Sequence, residues 1–389
     1  MSILSAVMTA RVPNLAFAVV GLFWGMFAAY VPEVKAQLGV NDATFGLLLL
    51  GQAIGLLSAM FLAPLFDRRV GARSMQVAGV LFALCWVLPG LITGPVAFVG
   101  AMLLLGTFSG LLDVVMNARV SVLEAQKGRT LMSASHGIFS LAYMVSAVMA
   151  AALRGAGVPP AVAFAMVGAV AVAISMTLHM APPEDDAAEP QVGARTGGYP
   201  WLAVIACGLI VLTAFMSEAT VETWSALHVE RTLGGSAVEG ALGPASLGLT
   251  MAIGRLGGQV LTDRFRGLPI IIGASFVAAL GAVTAALAAT PAMAYVGFGI
   301  LGLGVSVIGP LGLALVGKLV RPRHRTDAIA KAAVMGFSGF FFAPVLMGTV
   351  SEFYGLRVAY LGVTGLILLA IPLSLWAYAM KAPSKSEGT

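Results

Sequence analysis

Apolar runs of about twenty residues recur along the chain, each closed by a cluster of polar residues, proline or glycine. A membrane-spanning helix needs about 20 mainly apolar residues. Counting such runs gives twelve: roughly 11–31, 44–65, 74–92, 95–118, 131–153, 159–179, 200–224, 237–261, 268–289, 291–317, 327–350 and 357–380. The breaks fall at places such as Gly90–Pro95, Gly155–Pro160 and Thr290–Pro291. Strands of a membrane β-barrel would show shorter segments of alternating polarity, and the chain has none. The pattern predicts an all-α polytopic membrane protein with twelve transmembrane helices.

One long polar stretch interrupts the series. Residues 181–199 (APPEDDAAEPQVGARTGGY) are rich in proline, glycine and acidic side chains, the composition of a flexible linker. They divide an N-terminal six-helix bundle (1–180) from a C-terminal one (200–389). The two parts echo each other. Asp67-Arg68-Arg69-Val70-Gly71 follows the second segment, and Asp263-Arg264-Phe265-Arg266-Gly267 follows the eighth, 196 residues later. A weaker echo links Phe139-Ser140 to Phe337-Ser338, 198 residues apart. Duplicated, pseudo-symmetric halves are a transporter architecture with the site near the bilayer midplane between them.

Composition sharpens this picture. Of 389 residues, 59% are hydrophobic and 10% charged, against roughly 25% charged in soluble proteins; mean hydropathy is +0.96. These values exclude a soluble enzyme, a nucleic-acid-binding domain and a disordered chain. The net charge of +5 lies in short loops without interleaved aromatics, so no nucleic-acid partner is expected. With both termini on one side, that side holds 16 of the Lys and Arg residues. The other holds four: Lys35, Arg154, Arg231 and Arg357. The bias predicts that both termini and the linker are cytoplasmic. Arg119 and Arg255 lie within or at the ends of helices. Cys85 and Cys207 read as reduced packing residues, and Met1–Ala10 runs into the first segment without an evident cleavage signal. No metal-ligand spacing, nucleotide loop or nucleophile constellation occurs, and the four histidines are isolated. No cofactor, metal or ATP-driven cycle is expected.

Twelve segments, the 6+6 split and D-R-x-x-G after the second and eighth segments make the chain similar to the major facilitator superfamily. Its usual G-x-x-x-D-R-x-G-R-R signature is altered here: Ala63 stands for the first glycine, and Gly71 comes one residue late, followed by Arg73. Three stretches resemble the fucose-permease-like branch and related bacterial inner-membrane proteins: Leu112–Ala118 in the fourth segment, Ser135–Ser140 in the fifth, and Glu222–Ala226 ending the seventh. The resemblance implies a secondary active transporter of a small polar organic solute in the bacterial inner membrane. It would work by alternating access, coupled to protons, as a monomer in the lipid bilayer. The rival is a proton-driven exporter of amphipathic compounds, suggested by the Phe-rich C-terminal half; a receptor or lipid-handling protein is a third class.

Charges inside a bilayer cost at least about 2.5–3.5 kcal/mol on insertion scales and demand a reason. Asp113 lies in the fourth segment with Asn117 one turn on. Counting outward from the turn near Gln126 sets His136 level with Asn117, and Ser140 level with Asp113. The four are expected to converge on one wall that binds a polyhydroxyl or nitrogenous solute and exchanges a proton; the alternative is a polar clamp between two helices. Glu218 reads as a cation, proton or donor-group site near the outer gate, or as a carboxylate reaching the surface, and Glu222 as the latter. Arg255 holds an anionic group, snorkels inward or pairs with a carboxylate. Asp67 with Arg68 and Arg73, and Asp263 with Arg264, are expected to form charge latches at the cytoplasmic ends, beyond plain topology signals. Trp24, Tyr143 and Phe337 fall in helices that line the cavity in this superfamily, or they simply pack. Gly309-Pro310 and Pro344 are expected to kink the tenth and eleventh helices.

Overall fold

A computed structural model describes residues 3–181, 199–264, 267–321 and 324–380, without the side chains of 3, 258–264 and 326. Sixteen α-helices are seen among the described residues: α1 (Ile3–Thr9), α2 (Arg11–Leu38), α3 (Asp42–Leu48), α4 (Leu50–Val70), α5 (Ser74–Cys85), α6 (Leu88–Leu91), α7 (Pro95–Lys127), α8 (Met132–Gly155), α9 (Pro160–Ser175), α10 (Trp201–Leu227), α11 (Ala237–Arg264), α12 (Gly267–Ala286), α13 (Pro291–Leu319), α14 (Arg325–Phe337), α15 (Gly339–Leu368) and α16 (Ala370–Ala379). Eight stretches are long and apolar enough to cross a membrane. Two of them, 42–91 and 327–379, are about twice the needed length and are broken by glycines at positive φ, Gly71 (65°) and Gly355 (80°). Each therefore makes two rods. With α9 (16 residues) and α11 (28 residues), the described residues form twelve rods, as the apolar runs predict.

The ends of the rods depart from the apolar runs. The first segment continues through Pro32 to Leu38, and the fourth to Lys127. Backbone hydrogen bonding carries a helix beyond its apolar stretch, and polar ends suit water. Pro95, Pro160 and Pro291 open α7, α9 and α13, where a missing N–H costs nothing. The eleventh rod is interrupted at Ser338, between α14 and α15, and Pro344 follows within α15. Residues 182–198 of the linker lie outside the described residues.

Helix α2 sits at the centre. It packs on α8 and α9 on one side and reaches α10 and α11 on the other, while α4 packs on α7. A ring cluster fixes it from behind: Phe23 lies 5.2 Å from both Phe82 and Trp86 and 6.3 Å from Phe164. Each such pair contributes about 0.5–1.5 kcal/mol beyond area burial. On the opposite, outer surface Phe61 is 84% and Val96 89% exposed. Apolar exposure on this scale is unsuited to water and suited to acyl chains.

Helices α3 and α15 cross closely. A Cβ on Gly46 would strike the carbonyl of Pro344, and one on Gly348 the carbonyl of Asp42. Only glycine allows two backbones this near, as at other membrane-helix interfaces.

Candidate functional site

A cavity of about 150 Å³ lies between the helices preceding residue 182 and those following 198. The earlier helices supply Trp24, Gln52, Asp113 and Phe139; the later ones supply Glu218, Glu222, Phe337 and Phe340. Asp113 takes up a hydrogen bond from the Asn117 amide one turn on (3.2 Å), which also donates to the Asp113 carbonyl (2.8 Å). Across the cavity Arg255 from α11 donates to both Glu218 oxygens (2.9 and 3.2 Å) and to the Ser140 hydroxyl (2.7 Å). Its guanidinium lies 5.9 Å from the Phe139 ring centre. Glu222, one turn beyond Glu218, makes no hydrogen bond or ion pair among the described residues.

Two ion-pair clusters close one end of the molecule. In the first, Arg231 forks onto the Asp42 carboxylate, with Nη1 2.7 Å from Oδ1. Lys35 adds a contact at 3.0 Å, Ser351 donates to Asp42, and the Asp42 N–H donates to Glu352 at 2.9 Å. Asp42 is 2% exposed. In the second cluster, Arg154 donates to Glu33 (2.6 Å), to Glu230 (2.7 Å) and to the Ala29 carbonyl (2.7 Å). Both clusters join helices on either side of the linker. Glu230 and Arg231 are adjacent, in a π-turn (His228–Thr232) that extends α10. One five-residue turn thus supplies a partner to each cluster. At the other end Asp67 pairs with Arg119 of α7 through two bonds (2.7 and 3.0 Å).

Comparison with known proteins fixes the family. Residues 14–305 and 208–389 match the Major Facilitator Superfamily. The chain is 30% identical over 366 residues to an uncharacterized MFS-type transporter of Yersinia pestis, covering 93% of both. The chain belongs to the Major Facilitator Superfamily. This superfamily transporter is also 27% identical over 347 residues to membrane protein MosC of Rhizobium meliloti, covering 89% of this chain and 84% of that one. Its fold is shared with the nucleoside transporter NupG (mutant form; TM-score 0.72, 14% identity, 96% of this chain and 99% of that one). It is shared equally with a bacterial homologue of the human lysosomal transporter Spinster in an inward-facing, occupied conformation (TM-score 0.70, 14% identity, 95% and 96%).

The transporter distributes its predicted site residues differently from the sequence expectation. Asp113, Glu218, Trp24 and Phe337 face the cavity. The expected wall of Asp113, Asn117, His136 and Ser140 does not form. Helix α7 packs on α4 and α8 on α2, so the hairpin partners diverge. His136 stacks edge-on against Phe17 (5.0 Å) and Ser140 serves Arg255. Arg255 finds its carboxylate in Glu218. Glu222 faces the cavity instead of the surface, because it follows Glu218 on the same helical face. Tyr143 is 1% exposed and packs between α2 and α11, against Gly25 and Gly248. Asp67 pairs neither with Arg68 nor with Arg73, which are exposed, but with Arg119, which is 2% exposed. The side chains of Asp263 and Arg264 lie outside the described residues.

Both end clusters escaped the sequence reading. One signal was present: three of the four cations assigned to the sparse side, Lys35, Arg231 and Arg357, lie close in sequence to Glu33, Asp42, Glu230 and Glu352. Matched opposite charges at one end of a polytopic protein signal pairing.

Proposed function

We propose that this superfamily member imports a small polar organic solute across the bacterial inner membrane by alternating access, driven by protons. On this reading residues 1–180 and 200–389 rock as two six-helix units about the cytoplasmic linker, as a monomer with both termini inside. The observation that carries it is the cavity between the two groups of helices, with Asp113 and Glu222 facing it without a cation of their own among the described residues. A carboxylate in that position can load a proton on one side and release it on the other, and Asn117 supplies a hydrogen bond that changes with occupancy. The likeness of Leu112–Ala118, Ser135–Ser140 and Glu222–Ala226 to the fucose-permease-like branch supports a polar solute.

Proteoliposomes with an imposed pH gradient test this. Asp113→Asn mimics the protonated carboxyl at the same size. It is expected to abolish accumulation against a gradient while exchange of solute across the membrane persists. Full accumulation by the variant would remove Asp113 from coupling, and accumulation indifferent to the pH gradient in the unaltered protein would overturn proton coupling. Export of amphipathic compounds is the second reading, favoured by the ring group Phe215, Phe337 and Phe340 (5.2 and 5.5 Å from Phe215) at the cavity edge. Gradient-driven loss of preloaded solute would select it.

A further inference from the structure

We propose that the cavity takes a solute carrying a protonated nitrogen, an organic ammonium, held between Asp113 and Glu222. The inference deepens the transport reading and depends on it only for the solute being moved.

The charges facing the cavity do not balance. Three carboxylates stand against one guanidinium, and that guanidinium is already committed: Arg255 bonds both oxygens of Glu218 and the Ser140 hydroxyl. The described partner of Asp113 is the neutral Asn117 amide, and Glu222 has none among the described residues. Two carboxylates thus face a small space lined mainly by apolar side chains, where an unpaired charge is costly. A neutral solute leaves that deficit in place, and an anion deepens it. A cation removes it. A lone proton would also neutralise one carboxylate, but the walls offer more than charge. Trp24, Phe27 and Phe340 line the same space, and aromatic faces attract organic cations.

A second observation lies behind Glu222. The Tyr143 hydroxyl is buried without a hydrogen-bond partner, and Tyr143 is 1% exposed. It lies within electrostatic reach of both Glu218 and Glu222. A buried hydroxyl without a partner among the described residues is a donor still to be used. Size sets the last constraint. A cavity of about 150 Å³ matches the space that holds one benzene-sized ring in a protein interior. The solute is therefore compact, of about one ring with a charged nitrogen.

The test is ligand-induced thermal stabilisation of the purified full-length chain in detergent micelles. Two matched sets of millimolar probes are used: glucosamine, glucose and glucuronate; benzylamine, benzyl alcohol and benzoate. Within at least one set the ammonium compound should raise Tm more than its neutral and acidic counterparts. Glu222→Gln and Asp113→Asn should each weaken its apparent affinity by about tenfold or more, the loss of one charge contact. The inference is overturned by preference for the acid or the neutral compound in both sets, by no stabilisation from either ammonium compound, or by undiminished ammonium affinity in both variants. Either variant suffices should the other fail to fold. Counterflow in proteoliposomes separates the two readings. Binding of the ammonium compound without its movement sinks transport and leaves the charge preference standing; movement of benzoate in preference to benzylamine does the reverse.

Discussion

The Asp42 and Asp67 ion pairs use the same chemistry for different ends. Each is an aspartate met by a forked arginine. At Asp42 the arginine comes from the π-turn that extends α10 and the supporting hydroxyl from α15, far along the chain and beyond the linker. At Asp67 the arginine comes from α7, within the same group of helices. A pair that spans two groups is broken whenever they part; a pair inside one group survives the motion. On the proposed rocking motion, the first would act as a clasp and the second as a brace. The D-R-x-x-G signature marks Asp67 but does not say where its arginine comes from; the address of the arginine separates the two pairs.

Removing the brace should have the largest effect. Asp67→Ala strands Arg119, which is 2% exposed. Deleting one partner of a buried pair costs about 3–5 kcal/mol. A marked fall in the Tm of the purified protein is expected, without a change in labelling of the closed end. An unchanged Tm would show that water reaches Arg119. Weakening the clasp should move populations more than stability. Asp42→Asn loses charge-assisted bonds worth about 1.5–3 kcal/mol each, so the closed end should open about 10- to 100-fold more often. A cysteine placed at Gln52, in the cavity, reads this through thiol reagents added from the Asp42 side. Labelling as slow as in the parent would demote the clasp to a surface contact.

Arg255→Lys is expected to be milder. Lysine keeps the charge beside Glu218 but loses the fork and the reach to Ser140, so solute affinity should fall several-fold at unchanged Tm. A fall in Tm instead would make this pair a brace as well. The smallest effect is expected at Asp327–Lys331, an exposed pair one turn apart on α14. Lys331→Ala should change stability by about 0.5 kcal/mol or less.

The contrast also explains what the sequence could and could not reveal. Twelve apolar runs foretold twelve rods, because the demand for about 20 apolar residues is local. Asp113 was legible for the same reason: a charge inside an apolar run is conspicuous in one dimension. His136 was misplaced because counting from a hairpin gives depth and not direction around the helix, and α2 lies between the two strands of that count. Asp42 looked like an ordinary loop residue beside Asn41. Its partners Arg231 and Ser351 stand 189 and 309 residues away, a separation that no local pattern encodes. Arg119 was visible as an intramembrane arginine, yet nothing near it named Asp67.

The π-turn that carries Glu230 and Arg231 has a kinetic consequence. Since neighbouring residues of one turn serve both clusters, swinging the turn away on the proposed motion would take Arg231 from Asp42 and Glu230 from Arg154 in a single event. The barrier to opening is then shared, not stepwise, and a half-latched, leaky intermediate has little lifetime. Two substitutions, one in each cluster, would then accelerate opening by about the product of their separate accelerations, whereas a double variant no faster than the faster single one would show the two clusters opening in sequence.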